Sequence, residues 1–389
     1  MIGLALLAPL SSFAEESGAN KKKPNIIYIL ADDLGISELG CYGQQLIETP
    51  NIDRLSQEGM TFSNHYSGTA VSAPSRCVLF TGLHTGHAYI RGNDEMAGDV
   101  WNHKAVLADS TLEGQRPVPA ETVMIPAVMK QAGYTTACIG KWGLGYPGSA
   151  STPNKMGFDF FYGYNCQREA HTYYPPFLYR NEHREYLNNP LVVPHTKLDK
   201  GADPYEEKSY AKYTLNEYAP DLMYKEILNF IDLTKDNPFV LFWTTPLPHV
   251  PLQAPEKWVK HYVNKFGDEK PYTGNKDYFP CRYPRATYAA MMSYWDEQIG
   301  GLINKLKELG IYDNTIIIFT SDNGPTFNGG SDSFFFDSAK PFKSEWGWGK
   351  ASLREGGIRV PMIASWPKKI KAGSKRSHLC LLGHYAYFL

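Results

Sequence analysis

The sequence predicts an α/β protein in which a mostly parallel sheet is flanked by helices. Continuous apolar runs, typical of buried strands, alternate along the chain with amphipathic segments typical of helices. Polar side chains follow directly after several of these runs, which is where open α/β sheets bind their ligands. The composition agrees, since 43% hydrophobic and 20% charged residues in a chain of 389 exclude disordered, collagen-like and coiled-coil proteins.

Five apolar runs are predicted to form the strands. The first, NIIYILA, reads as a continuous apolar run after its asparagine, as expected of a parallel strand that is buried on both faces. TIIIFT and FVLFWT have the same character. The predicted strands are residues 25–31, 134–139, 239–244, 315–320 and 360–365.

Five helices are predicted between the strands, several of them bounded by proline or glycine. Pro50 precedes the segment 51–58, and Gly310 ends the long segment 285–309. The predicted helices are residues 51–58, 73–82, 122–131, 220–234 and 285–309. Two long stretches, 91–120 and 143–211, show neither pattern, and insertions of that length are usually functional or disordered.

The N-terminus has the pattern of an export signal. Residues 2–10 are apolar, and the small-x-small segment 12–14 (SFA) suits cleavage. The apolar run is too short to span a bilayer, and no later run reaches the roughly 18 apolar residues that a span needs. We therefore predict a signal peptide at residues 1–14 and a polar leader at 15–23, in a periplasmic or secreted protein without a membrane partner.

Charge and cysteine spacing narrow the classes of partner. The chain has 39 Lys and Arg against 40 Asp and Glu, which argues against broad electrostatic binding to nucleic acid or membrane. The six cysteines include no CxxC pair, which argues against a zinc ribbon or a thioredoxin-type site. An exported protein could form one or two disulfides, and the alternative is that all six are buried thiols.

Polar side chains at four strand ends predict one site. Because the carboxyl ends of parallel strands meet at one edge of a sheet, these side chains are expected to converge. They are Asp32-Asp33, Lys141, His249 and Asp322-Asn323. Carboxylate and amide oxygens suit Ca²⁺ or Mg²⁺ rather than zinc. A single Asp-Asp pair is usually a solvated turn or a helix cap, but two oxygen-rich pairs favour a cation.

The segment SAPSRCVLFTG at residues 72–82 resembles the signature of the type I sulfatases, Cys/Ser-x-Pro-Ser/Ala-Arg followed by Leu-x-Thr-Gly. In that family the first residue is converted to formylglycine, the catalytic nucleophile, which implies that a maturase modifies Ser72. Pro74 near the start of a predicted helix would put Ser72 at a helix N-terminus, where anions such as sulfate are favoured. An ordinary serine-capped helix is the alternative.

The resemblance runs from about residue 24 to about residue 371. The blocks PNIIYILADDLG, GKWGLG, PLPHVP, TSDNGP and KASLREGGIRVPMIASWP occur in the family's order. The resemblance implies an alkaline-phosphatase-like fold, with a catalytic domain at residues 24–377 that hydrolyses sulfate esters.

The resemblance also implies a role for each residue of the predicted site. The ligands of one calcium ion, completed by the modified Ser72, would be Asp32, Asp33, Asp322 and Asn323. Arg76 matches the arginine that holds formylglycine. Lys141 and Lys350 match the lysines that neutralise sulfate oxygens. His249 matches the histidine that contacts the ester oxygen and can protonate the leaving alcohol.

One position departs from the family pattern. Many members read GKWHLG, where the histidine acts as a base, but this chain has Gly143. His171, in the block NCQREAHTYYP, is our candidate for the replacing imidazole, and packing among aromatic residues is its alternative role. Arg168 and His171 are also predicted to contact the sugar.

The sequence therefore predicts a sulfatase that acts on a glycan. High Tyr content (26 residues) and similarity to bacterial carbohydrate sulfatases favour exo-desulfation of galactose or N-acetylgalactosamine sulfate, in glycosaminoglycan, mucin or algal glycan. Two alternatives remain open. One is a metal-dependent phosphatase or phosphodiesterase of the same superfamily, and the other is an inactive, truncated sulfatase-like protein.

The last residues, 378–389 (HLCLLGHYAYFL), are apolar or aromatic and carry no Asp, Glu, Lys or Arg. The ends of soluble chains are normally polar and frayed. Family members continue into a small C-terminal antiparallel subdomain. We therefore expect most of that subdomain to be missing here, through truncation or a frameshift.

Overall fold

The computed structural model describes residues 23–95, 102–377 and 379–380. The strands are β1 (Asn25–Ala31), β2 (Met60–Phe62), β3 (His65–Tyr66), β4 (Thr135–Lys141), β5 (Phe160–Tyr164), β6 (Phe177–Arg180), β7 (His183–Tyr186), β8 (Phe239–Thr244), β9 (Thr315–Ser321), β10 (Met362–Ser365), β11 (Ser374–Arg376) and β12 (Leu379–Cys380). Ten of them form one sheet in the order β11-β2-β10-β9-β1-β8-β4-β5-β6-β7. The two-residue strands β12 and β3 pair with each other in a second, small sheet.

The centre of the sheet is parallel and its margins are mixed. The strands β9, β1, β8, β4 and β5 run parallel to their neighbours in that order. The strand β10 is antiparallel to both β9 and β2, and β6 is antiparallel to both β5 and β7. The predicted fold class, a mostly parallel sheet flanked by helices, is confirmed.

Helices cover both faces of the sheet, so the central strands are buried on both sides. Alternate residues of β1 enter two cores, with Ile27 and Ile29 in one and Tyr28 and Leu30 in the other. Alternation of side chains in a strand explains why β1 reads as a continuous apolar run. The helices are α1 (Pro50–Glu58), α2 (Ser72–Thr81), α3 (His103–Ala108), α4 (Ile125–Gln131), α5 (Ala219–Thr234), α6 (Glu256–Phe266), α7 (Pro284–Glu308) and α8 (Glu355–Ile358).

All ten predicted elements are present, with boundaries that differ by up to three residues. The strands β1 and β8 have the predicted bounds, and β4 continues two residues further, to Lys141. The helix α4 begins at Ile125 rather than at residue 122, because a proline in its first turn suits a helix start. Lys141 is therefore the last residue of β4 and does not lie in the loop that follows it.

The stretch 143–211 is more regular than predicted. It contains β5, β6 and β7, which form one margin of the sheet. These strands are short and β7 is largely solvent-exposed, so their sequences lack a long apolar signal. In its described part, the stretch 91–120 contains the short helix α3 and a 3-10 turn at Ser110–Leu112.

The structure describes only some of the residues on which the predictions about cysteines, membrane spans and the two chain ends depend. Five cysteines are free thiols in the described residues: Cys41, Cys77, Cys138, Cys166 and Cys281. Within residues 23–95, 102–377 and 379–380, no helix has the length and apolar character needed to cross a membrane. The predicted signal peptide lies outside the described residues, and so do the leader except for residue 23 and the tail except for residues 379–380.

Candidate active site

Ser72 lies at the first turn of α2 and is almost completely buried. Its Oγ donates a 2.7 Å hydrogen bond to Oδ1 of Asp32 and lies 3.5 Å from Oδ1 of Asn323. The N-cap of the helix is Val71, so the Ser72 hydroxyl does not cap the helix. The alternative interpretation, in which Ser72 is an ordinary helix-capping serine, is therefore wrong. Ser72 instead presents its oxygen to the residues that follow two strands.

The oxygen-rich pairs meet because β1 and β9 are parallel neighbours in register, with Ala31 opposite Ser321. The backbone N–H of Asp33 donates to Oδ1 of Asp322 at 3.2 Å. The Asn323 amide donates to Oδ1 of Asp33 at 2.7 Å. Asp33 has a positive φ of 68°, which turns the chain sharply at the end of β1 and is uncommon outside glycine.

Three cationic side chains, two of them fully buried and the third, Lys350, partly buried, surround these carboxylates, and each is paired with one of them. Nζ of Lys141 lies 2.5 Å from Oδ2 of Asp32, and Nζ of Lys350 lies 2.8 Å from Oδ2 of Asp33. Nη2 of Arg76 lies 3.0 Å from Oδ2 of Asp322. Arg76 Nη1 also donates to the backbone carbonyl of Lys141 at 2.6 Å, which fixes the guanidinium below the site.

The pKa values of the groups reflect burial and this pairing together. Burial opposes ionisation of Asp32, but Lys141 and His249 hold its pKa well below the usual value. Burial and the nearby Asp32 raise the pKa of Asp322 to about 7. Burial lowers the pKa of Lys141, whereas the pKa of Lys350 is raised by Asp33 even though burial opposes its charge. The three carboxylates are thus too close for all to ionise without nearby positive charge.

His249 follows β8 and lies next to the carboxylates. Its Nε2 is 3.6 Å from Oδ2 of Asp33, and its Nδ1 faces the carbonyl oxygen of Val250. A carbonyl only accepts hydrogen bonds, so Nδ1 carries the proton and Nε2 is left to exchange one. Burial, followed by the charge of Lys350, lowers the pKa of His249 to about 4.

The donor set fits a hard divalent cation. Asp32, Asp33, Asp322 and Asn323 present carboxylate and amide oxygens, the ligands that calcium and magnesium prefer. Among the described residues, one group of acidic and imidazole side chains has the geometry to hold an ion: Asp32, Asp33 and His249. This group includes both members of the first predicted pair.

His171 lies beside His249, in the short helical turn Arg168–His171 that follows β5. The two imidazole rings are stacked, with centroids 5.7 Å apart and an angle of 14°. Arg168 is the first residue of the same turn, and its Nε lies 2.7 Å from Oε2 of Glu95. The structure thus brings His171 to the site. Its assignment as a base and the assignment of Arg168 and His171 as sugar contacts stay predictions.

Sequence reasoning missed four residues around the site. Asn93 accepts a hydrogen bond from the backbone N–H of Ala73 at 3.0 Å, next to Ser72. The Gln167 amide donates to Asn93 at 3.3 Å. His195 and Tyr278 contact His171. Gln167 lies in the block NCQREAHTYYP but was not singled out there, and Asn93, His195 and Tyr278 lie in loops where no spacing or motif marks them.

Comparison with known proteins agrees with this geometry. A model of the sulfatase family matches residues 24–380. The N-acetylgalactosamine-6-O-sulfatase of Bacteroides thetaiotaomicron is 30% identical over 96% of this chain and 74% of that protein. The human N-acetylgalactosamine-6-sulfatase is 30% identical over 92% of this chain and 59% of that protein. The chain therefore spans between 59% and 74% of the length of these two relatives.

Comparison with a solved structure also shows similarity over almost the whole chain. The crystal structure of Ps i-CgsB superposes with a TM-score of 0.71 and 29% identity, over 94% of this chain and 71% of that one. The family model covers nearly the whole described chain, and the residues of its signature meet at one edge of the sheet. The chain therefore belongs to the sulfatase family.

Proposed function

We propose that the protein is an exported enzyme that hydrolyses a sulfate ester on a terminal sugar of a glycan. The observation that carries this proposal is the position of Ser72, which is buried at a helix start between two oxygen-rich pairs and near three buried or partly buried cationic side chains. The names of the relatives favour N-acetylgalactosamine 6-sulfate as the substrate. A 4-sulfate or a galactose sulfate remains within the same proposal.

The charge of the site suits an anion brought to a nucleophile. Lys141 and Lys350 are buried or nearly so, and their ammonium groups lie at the carboxylates that flank Ser72. A cation bound by those carboxylates would compete for them and leave both lysines with charge to offer to sulfate oxygens. Positive groups fixed in a water-poor site stabilise developing negative charge without reorganising.

Calcium and formylglycine are the groups that the family implies. Asp32, Asp33, Asp322 and Asn323 would hold the ion, and Ser72 would be the modified residue. When present, the two groups supply a nucleophilic hydroxyl and additional positive charge. Arg76 holds Asp322 and the backbone at Lys141 in place beneath them. The serine form of the signature supports a maturase that acts on the chain before export.

Proton transfer would fall to His249. Its Nδ1 is committed to the Val250 carbonyl, so Nε2 is the nitrogen that can give a proton to a leaving alcohol. Nε2 lies 3.6 Å from Oδ2 of Asp33, one of the predicted calcium ligands. A substrate anion and a bound cation would both alter the charge around it, and so tune when it carries that proton.

The geometry favours a sulfatase over a phosphatase of the same superfamily. Enzymes that hydrolyse phosphate esters with two metals need a second set of carboxylate and imidazole ligands. In the part of the chain that the structure describes, the group around Asp32, Asp33 and His249 is the one such cluster. Two lysines and an arginine at a single-cation site match the neutralisation of one sulfate ester.

The test is a panel of defined sulfated mono- and disaccharides, with the corresponding phosphate esters, given to protein produced with a serine-type maturase. We expect sulfate release from N-acetylgalactosamine 6-sulfate and a Ser72 peptide that is two hydrogens lighter by mass spectrometry. Ser72→Ala should lose turnover. Ser75→Ala is the matched control, because Ser75 lies in the same motif at a position where the family accepts alanine. Preferential hydrolysis of the phosphate esters, or full activity with unmodified Ser72, would contradict the proposal.

A further inference from the structure

We propose that His195 is a positioning residue that fixes His171 as a hydrogen-bond donor to a sugar oxygen of the substrate, beside His249. This inference rests on the proposed function. Nδ1 of His171 lies 3.0 Å from Nε2 of His195, within hydrogen-bond distance. The contact joins the turn that ends at His171 to a loop 24 residues further along the chain. No sequence motif indicated that the two rings would meet.

The direction of that hydrogen bond follows from a third group. The backbone N–H of Tyr278 donates to Nδ1 of His195 at 3.1 Å. An N–H can only donate, so Nδ1 of His195 carries no proton and Nε2 of a neutral His195 must carry it. That Nε2–H can then only donate to His171, whose Nδ1 accepts. The proton of a neutral His171 is therefore on Nε2. In this arrangement His171 is a donor and has no free nitrogen with which to act as the base predicted from the sequence.

The surroundings of both rings favour the neutral forms. Burial lowers the pKa of His171 well below its usual value, and the neighbouring His249 lowers it further. Burial also lowers the pKa of His195, although Asp277 acts in the opposite direction. The aromatic ring of Tyr278 packs against His171 and His195, with centroids 4.9 Å away from each.

The backbone is held in unusual conformations at the residues that form the hydrogen-bonded chain from Tyr278 through His195 to His171. His195, Asp277 and Tyr278 have φ values of 66°, 62° and 61°, in the left-handed region that residues other than glycine seldom adopt. Such conformations persist when the surrounding contacts determine them, and they cluster at functional sites. Here they aim the His195 ring at His171 and the Tyr278 N–H at His195.

This chain of hydrogen bonds places two imidazoles with different tautomers side by side. His249 has its proton on Nδ1, facing the Val250 carbonyl, so its Nε2 is free to exchange a proton. His171, stacked on it at 5.7 Å, keeps an Nε2–H as the group available to a ligand. A donor next to a proton-exchanging nitrogen matches a sugar sulfate, which carries a hydroxyl or ring oxygen near its ester oxygen. An aryl sulfate carries no such second oxygen.

The first test is spectroscopic and does not depend on turnover. Selective ¹⁵N-histidine labelling with long-range ¹H–¹⁵N correlation distinguishes the two neutral tautomers of each ring. We expect Nε2–H for His171 and His195 in the full-length protein. His195→Ala should release His171 into a mixture of tautomers, and His195→Gln should restore Nε2–H, because its amide can donate from a similar position. An Nδ1–H tautomer of His171 in the wild type would overturn the proposal.

The second test is kinetic and compares a sugar sulfate with an aryl sulfate. His195→Ala should lower kcat/KM for the sugar sulfate by about ten-fold, as expected for loss of one hydrogen bond, and change that for the aryl sulfate little. His195→Gln should recover most of the loss, and so should His171→Gln, which can donate but cannot act as a base. Equal losses on both substrates, or a His171→Gln variant as impaired as His171→Ala, would overturn it. Absence of any sulfate release by the wild type would contradict the proposed function instead.

Discussion

Gln167 occupies the space that a side chain at Gly143 would need. A Cβ built on Gly143 would lie 2.9 Å from Cγ and 3.3 Å from Cδ of Gln167, and Gly143 has a φ of 77°. The same glutamine donates to Asn93, which in turn accepts from the first turn of the Ser72 helix. In this chain, Gly143 therefore lies beside a glutamine that supports the first turn of the Ser72 helix through Asn93.

We expect Gly143→His to destabilise the protein and to leave activity no higher. A β-carbon at positive φ costs roughly 1–2 kcal/mol, and displacement of Gln167 adds to it. Urea unfolding of the variant measures the loss. Gly143→His combined with Gln167→Ala should recover the part that comes from the contact but not the part from φ. A loss no larger than the cost of the positive φ would mean that the glutamine moves freely, and a single variant as stable as the wild type would contradict the prediction.

Arg76 is predicted to matter for folding as well as for turnover. It has no exposed surface and pairs with Asp322, so Arg76→Met would leave a buried carboxylate without its main partner. Breaking such a pair from one side costs about 3–5 kcal/mol. Arg116→Met is the matched control, because Arg116 is half-exposed and pairs with Asp94 at 3.4 Å. Its loss should stay within about 1 kcal/mol in the same denaturation experiment.

Calcium is predicted to stabilise the folded protein at the Ser72 site. A ligand at about one hundred times its Kd adds roughly 2.7 kcal/mol to the free energy of unfolding. Thermal unfolding should therefore shift upward with Ca²⁺, less with Mg²⁺, and back with a chelator. Asp322→Asn should reduce the shift, and Asp313→Asn, an exposed residue in the turn before β9, should keep it. An equal shift in both variants would place the ion elsewhere.

Glu38 should make stability fall as the pH rises. This buried carboxyl accepts hydrogen bonds from Gly35, Tyr288 and Ser338, yet burial raises its pKa from 4.5 to about 7. The folded state therefore holds a proton that the unfolded state has lost between these two values. Stability contributed by the protonated form should fade across that window, by up to roughly 3 kcal/mol.

Glu38→Gln is the variant that isolates this effect. An amide keeps the shape of the protonated carboxyl and does not titrate, so the variant should lose that part of the pH slope. Other buried acids, such as Asp296 with a pKa raised to about 6, would still contribute in both proteins. Denaturant unfolding between pH 5 and pH 8 makes the comparison. Identical slopes in the two proteins would mean that Glu38 does not hold the proton.

Much of the site could be predicted because its residues follow strands. Asp32-Asp33 and Asp322-Asn323 each come directly after an apolar run, and parallel strands in register bring such ends together. The same reasoning placed Lys141 and His249 at that edge, and both lie there. Local sequence patterns suffice for residues at the very end of a strand, because a buried strand fixes where its next residue must be.

The sequence by itself determined the α/β class, the central strands and the signature around Ser72. Only the tertiary structure decided that Gln167 fills the space at Gly143 and that His195 and Tyr278 orient His171. It also decided that β5, β6 and β7 extend the sheet within a stretch that shows no regular pattern. The physical reason is that strand and helix periodicities are local, whereas these contacts join loops far apart in sequence. Packing of the whole chain sets which groups meet there and which tautomer each ring adopts.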